Sequence, residues 1–152
     1  MNNTYEDINK IINNIDVDVI QFHGSEDKKF CGMFNLPYIK TLNINDVNRE
    51  NQFNFDKEAY AYLLDTKDSS GYGGTGLTFD WSRINNIKND IKHSNYFVAG
   101  GLNHLNVKKL ISLYKPYGID VSSGIESTQH KKDYTLMKKF IENVRIADNE
   151  KR

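Results

Sequence analysis

Three groups of residues in this chain stand where chemistry could be done together. Asp65 closes the apolar run Tyr60 to Leu64, Gly100 and Gly101 close the run from Tyr96 to Ala99, and Ser122, Ser123 and Gly124 close the run from Gly118 to Val121. Runs of four to eight apolar residues bounded by turn signals have the length of buried parallel strands. A glycine just after such a strand lets backbone approach a ligand closely and point N–H groups at an anion. Two such loops on successive strands would make a cradle for one phosphate, as after the last two strands of many (β/α)8 barrels. A carboxyl group at the end of an apolar strand is partly desolvated, which favours its protonated form and suits a general acid. For Asp65 a turn cap is the competing reading.

Further residues fall at similar places. Gln21 and His23 end the run Val17 to Phe22, and Asp120 lies near the end of the last one. His23 could stack on or hydrogen-bond a ligand, or simply satisfy a turn. Asp120 could orient the loop or a substrate hydroxyl, or be a buried paired carboxylate. Gly71, Gly73, Gly74 and Gly76 lie in the stretch T-K-D-S-S-G-Y-G-G-T-G-L-T, which could fold over a ligand. No Gly-Lys-Ser/Thr follows Gly76, so it is not a P-loop. No His or Cys pair stands at metal-ligand spacing, so no metal site is expected. Cys31 reads as a packed core thiol.

The elements that would position these residues alternate. Thr4 starts an amphipathic helix over 5–14 as N-cap, with Asp7 three residues on. A strand over 17–22 leads to a short helix opened by Ser25 or Asp27 and running to about Phe34. Strands follow at 38–42, 60–64, 96–99 and 118–122, with a weak helical signal near 45–49. Helices are expected over 81–91, from Asn103 as cap to about Tyr114 with Leu105 facing inward, and after Asp133. The last helix would present Leu136, Met137, Phe140, Ile141 and Val144 to the core. Such alternation argues for a parallel α/β sheet, and ligands of α/β folds sit at the C-terminal ends of strands.

The chain has 152 residues and fits one domain, read as 1–146 with a frayed charged tail over 147–152. Lys+Arg and Asp+Glu are each 20, so the formal net charge of +0 argues for neither a nucleic-acid nor a membrane partner. The single cysteine cannot form an internal disulfide, which suits a reducing cytoplasm, and no apolar run approaches a membrane span.

Several motifs together resemble one family. L-L-D-T at 63–66, G-G-T-G at 73–76, F-D-W at 79–81, A-G-G-L-N at 99–103 and D-V-S-S-G-I-E at 120–126 are similar to phosphoribosylanthranilate isomerase. Q-F-H-G-S-E at 21–26 and Lys132-Asp133 resemble further stretches of it. The resemblance implies a TIM (β/α)8 barrel, here about five parallel strands with outer helices, acting in tryptophan biosynthesis without a cofactor. It implies a phosphoribosyl small-molecule substrate, Asp65 as general acid, the Gly100–Gly101 and Ser122–Gly124 loops on phosphate, and the loop of Gly73, Gly74 and Gly76 as substrate cover. Gln129 and His130 stand where the family usually has Pro-Gly. The match begins just after the family's third strand, so the chain is expected to lack the Lys-Ile-Cys-Gly strand of the catalytic base and the Ser-x-Arg segment on the anthranilate carboxylate. A complementing N-terminal barrel segment would then be its partner. The alternatives are a non-catalytic phosphate-binding remnant and a phosphoribosyl-sugar isomerase of histidine synthesis. Leu-Leu-Asp with Gly-Gly-Thr-Gly argues against the latter.

Overall fold

A computed structural model of the chain describes residues 1–44, 58–65, 80–88, 91, 95–128 and 130–150. The helix expected near 45–49, the loop holding Gly71, Gly73, Gly74 and Gly76, and Gln129 lie outside these residues. Five strands form one sheet in the order β1 (Ile20–Phe22), β2 (Tyr38–Asn43), β3 (Ala61–Asp65), β4 (Asn95–Val98) and β5 (Gly118–Ile119). Every neighbouring pair is parallel. The helices are α1 (Tyr5–Ile12), α2 (Lys28–Cys31), α3 (Arg83–Lys88), α4 (Val107–Tyr114) and α5 (Tyr134–Asn149). The expected alternation and parallel sheet are both present. None of the described helices is long and apolar enough to cross a membrane.

Caps account for most helix starts. Thr4 Oγ1 accepts from Asp7 N–H at 3.2 Å and Asp7 returns the contact to Thr4 N–H, a reciprocal capping box. Asp27 caps α2 and Asp133 caps α5 through the N–H groups of Phe30 and Leu136. The N-cap position expected at Asn103 falls at Asn106, whose side chain makes no capping hydrogen bond to the helix. Asn103 spends its side chain on Leu105 N–H and its backbone N–H on Asn106 Oδ1, which holds a turn ahead of the helix. That turn points Leu105 outward, 81 % exposed, against the inward expectation, while Val107, Leu110 and Ile111 are buried. The first strand is shorter than 17–22 because its first rung is Ile20 N–H to the Pro37 carbonyl. In α5 the buried positions are Phe140 and Ala147, with Val144 packed beside them, whereas Met137 and Ile141 are exposed. Burial of Ala147 carries the helix through Asn149, past the residue at which the sequence reads as a frayed tail.

Strand alternation separates the sheet into two faces. Phe22, Tyr38, Leu42, Tyr62, Leu64 and Val98 pack with the helices in one continuous core that also holds Cys31. The aromatic rings beneath β1 are interlocked: Phe22 lies 5.9 Å from both Phe34 and Tyr38, and Phe30 lies 5.5 Å from Phe34. Such pairs add about 0.5–1.5 kcal/mol each beyond the area they bury. The other face carries Ile39, Thr41 and Asn43 on β2, Ala61, Leu63 and Asp65 on β3, and Phe97 on β4. Gly118 is small because a Cβ there would meet the Phe97 ring at 2.5 Å.

Near the N-terminal end of β4, several polar groups close α4. The Tyr114 carbonyl accepts from Lys88 Nζ at 2.6 Å and from the Tyr96 hydroxyl. Burial, with Lys115 nearby, pushes the Lys88 ammonium below its ordinary value, and burial raises the Tyr96 hydroxyl to about 12. Lys115 ends the helix in the left-handed region at φ 48°.

A second polar cluster ties the N-terminal residues to the loop after β1. Glu26 accepts from Asn2 N–H at 2.7 Å, Gly24 N–H at 2.9 Å and Lys40 Nζ at 2.9 Å, with its side chain only 6 % exposed. Burial alone would raise this carboxyl; the Asn2 N–H and the Lys40 ammonium outweigh it and take it from an ordinary 4.5 to about 2. Its contribution to stability is therefore complete above the unfolded-chain value and is lost as pH falls from about 4.5 through about 2. Urea unfolding should find Glu26→Gln destabilised by about 3 kcal/mol near neutral pH. The gap to the parent chain should narrow across that acid window, and a gap that stays constant to pH 2 would contradict this account.

Candidate functional site

The parallel register brings five strand ends to one level. Asn43 pairs with Asp65, Ala99 N–H donates to the Leu64 carbonyl at 2.8 Å, and Asp120 N–H donates to the Val98 carbonyl at 2.9 Å. His23 follows the last residue of β1, and its Nε2 lies 3.4 Å from Asp65 Oδ2, across the intervening strand β2. Their side chains are 32 % and 18 % exposed, so the contact is half-shielded and still open to a ligand. An imidazole there restricts the carboxyl rotamer, and the pair can hold a transferable proton at the mouth of the sheet.

Beside Asp65 stand the two glycine loops. Gly100 and Gly101 have φ of 83° and 65°, the left-handed region that side chains disfavour. Asn106 Nδ2 donates to the Gly101 carbonyl at 2.9 Å and holds that loop open. The second loop continues as a 3-10 turn over Ser123–Ile125. A Cβ on Gly124 would lie 1.7 Å from the Leu102 carbonyl oxygen, so the two loops touch backbone to backbone. A short antiparallel hairpin, β6 (Glu126–Thr128) with β7 (Lys131–Lys132), follows. Its Lys132 Nζ reaches back to the Ser122 carbonyl at 2.9 Å, to Ser122 Oγ at 3.1 Å and to Glu126 Oε1 at 2.6 Å. Lys132, and then His130 N–H, hold the Glu126 carboxyl below its ordinary value.

The residues singled out in the sequence therefore converge on one end of the sheet, with differences. Gln21 is exposed on the edge strand β1, and Ser122 is exposed on its loop. Asp120 is also exposed, which removes the reading of it as a buried paired carboxylate. Gly73, Gly74 and Gly76 fall outside the described residues. Sequence reasoning passed over Asn106, Glu126 and Lys132 as site-shaping residues. The signal was present as an Asn three residues after Asn103 and a Lys six residues after Glu126, but neither spacing reveals a contact by itself.

A family model described as N-(5'-phosphoribosyl)anthranilate (PRA) isomerase matches residues 1–143. The chain belongs to this family. Named members of the PRA isomerase family include proteins of Legionella pneumophila (strain Lens), 44 % identical over 138 residues, and Stenotrophomonas maltophilia (strain R551-3), 39 % identical over 151 residues. These alignments cover 88 % and 97 % of this chain but 63 % and 67 % of the relatives, so the chain spans about two thirds of their length. The crystal structure of phosphoribosyl anthranilate isomerase from Thermotoga maritima superposes with a TM-score of 0.78 at 33 % identity, covering 95 % of this chain and 70 % of that one. A PRA isomerase in complex with reduced 1-(o-carboxyphenylamino)-1-deoxyribulose 5-phosphate gives 0.71 at 29 % identity, covering 95 % and 68 %. The fold is that of the TIM-barrel PRA isomerases, of which the described sheet holds five parallel strands.

The contact between the loops yields a direct test. Gly124→Ala forces backbone to move, because the atom its Cβ meets is a carbonyl oxygen. It should cost about 1–3 kcal/mol in thermal or urea unfolding and shift the amide resonances of both loops. Gly32→Ala, where nothing lies within 4 Å of the added Cβ, should stay within about 0.5 kcal/mol of the parent.

Proposed function

We propose that this chain carries the general-acid and phosphate-binding side of a phosphoribosylanthranilate isomerase. The reaction is the Amadori rearrangement of N-(5'-phosphoribosyl)anthranilate to 1-(2-carboxyphenylamino)-1-deoxyribulose 5-phosphate in tryptophan biosynthesis. The observation that carries the proposal is the placing of Asp65 and both glycine loops at the ends of β3, β4 and β5, three consecutive strands of one sheet. Family membership supports it, as does the reduced 1-(o-carboxyphenylamino)-1-deoxyribulose 5-phosphate held by the solved relative.

In this reading the substrate phosphate sits on backbone N–H groups of Gly101, Ser123 and Gly124. Asp65 gives its proton to the furanose oxygen, the ring C–O bond breaks, and the anthranilate nitrogen lone pair forms the iminium. A base then takes the C2 proton, and the enolamine tautomerises to the ketone. His23 steadies Asp65 during the first step, and Gln21 and Asp120 would meet sugar hydroxyls. The loop of Gly73, Gly74 and Gly76 would cover the substrate. No residue of this chain matches the family's Lys-Ile-Cys-Gly base strand. The proposal is that the remaining strands of the barrel, on the same polypeptide or a separate one, supply that base and the contact to the anthranilate carboxylate.

The fluorescence decay of phosphoribosylanthranilate tests this with the 152-residue chain, a chain extended upstream through a Lys-Ile-Cys-Gly strand, and the Asp65→Asn variant of the latter. A missing general base or acid typically costs about 10²–10⁴-fold. The extended chain should turn over substrate, and the 152-residue chain should fall below it by at least that factor. Asp65→Asn should lower kcat by a similar factor with little change in KM, because an acid acts in the transition state. Full activity without the extension would overturn the need for further strands. An inactive extended chain that still binds the product would favour the non-catalytic reading.

A further inference from the structure

The Ser122 loop offers oriented side chains as well as backbone. An ammonium has three hydrogens to donate and no lone pair to accept with. Lys132 directs these donors to three acceptors: the Ser122 carbonyl, Ser122 Oγ and Glu126 Oε1. Ser122 Oγ is therefore the acceptor in its contact with Lys132. Its own hydroxyl hydrogen is left to point elsewhere, while the oxygen that carries it is polarised by a cation 3.1 Å away. Lys132 is in turn held by a carboxylate that is itself fixed. Glu126 is 11 % exposed, and its second oxygen accepts from His130 N–H at 2.9 Å, inside the turn of the β6–β7 hairpin. His130 reaches this position in the left-handed region at φ 64°.

We propose that Lys132 is a positioning residue for the phosphate loop, committing the Ser122 hydroxyl to donate to an oxygen of a phosphate monoester. This rests on the reading of the loop as a phosphate site and adds to it a hydroxyl donor and the residue that aims it. Lys132 itself touches no ligand, because its three donors are already engaged. The hairpin and the Glu126 carboxylate form the bracket that holds the ammonium against the loop. A hydroxyl polarised this way is a better donor, and a hydrogen bond to a charged group is worth more than a neutral one.

The test uses the 152-residue chain and two probes, inorganic phosphate and ribose 5-phosphate, with binding followed by the amide resonances of Gly101, Ser123 and Gly124. Lys132→Met and Ser122→Ala should each weaken binding about tenfold. In the Ser122→Ala background, Lys132→Met should cost less than about threefold, since residues acting through one contact are not additive. Lys132→Arg, which keeps a donor on Ser122, should stay within about threefold of the parent, guarding against a trivial loss of structure. An unchanged affinity in Lys132→Met, with the parent still binding at these amides, would overturn the role of Lys132 and leave the phosphate loop intact. A full tenfold loss in both backgrounds would overturn the route through Ser122. A parent chain that shifts none of these amides would remove the phosphate reading, and this inference with it.

Discussion

A parallel strand cannot be followed directly by its neighbour; the chain must first cross back over the sheet. That constraint governs nearly everything here. Among the described residues, the crossovers after β1, β3 and β4 each carry a helix, and all five strands run the same way. The ends of β1, β3, β4 and β5 therefore come to one side of the sheet although they are far apart in sequence. His23 and Asp65 are 42 positions apart and come within 3.4 Å because one strand lies between their own. The ladder fixes their spacing, and the side chains settle only the last ångström.

Around this frame the polar residues divide their work. Glu26 and Lys40 hold the loop after β1 from below, leaving His23 free of that duty. Asn106 and Lys132 shape the loops after β4 and β5 from behind. Asn106 and Lys132 each hold backbone of a glycine loop, the two loops proposed to carry the phosphate. Rigid support of this kind is what a cradle made of N–H groups needs, since its geometry is only as good as the loops that carry it.

Much of this was legible in the sequence because it rests on local rules. Alternating apolar runs announced the parallel sheet, and Thr4 and Asp133 announced their helices through cap chemistry. Asp65 and the glycine loops were legible because they end strands. What escaped was set by contacts distant in sequence. Asn103 has the right type for a cap, and only its pairing with Asn106 diverts it. Met137 and Ile141 match helical spacing as well as Phe140 and Ala147 do; the position of α4 and of the Ser123–Ile125 turn, against which α5 packs, decides which pair is buried. Lys132 looks like any surface lysine until the hairpin folds it onto Ser122. The first strand was read too long because an edge strand's extent depends on its single partner, β2.

The cluster on the Tyr114 carbonyl lies near the other end of β4 from the glycine loop. There a lysine, a tyrosine hydroxyl and a left-handed residue finish α4, with no group that the proposed chemistry calls upon. One end of the strand is thus occupied with holding helix to sheet, and the other carries the loop proposed to bind phosphate. On the proposed function, substitutions at the two ends are screened by different demands, persistence of the fold below and turnover above. Lineages can revise either end while the other stays as it was.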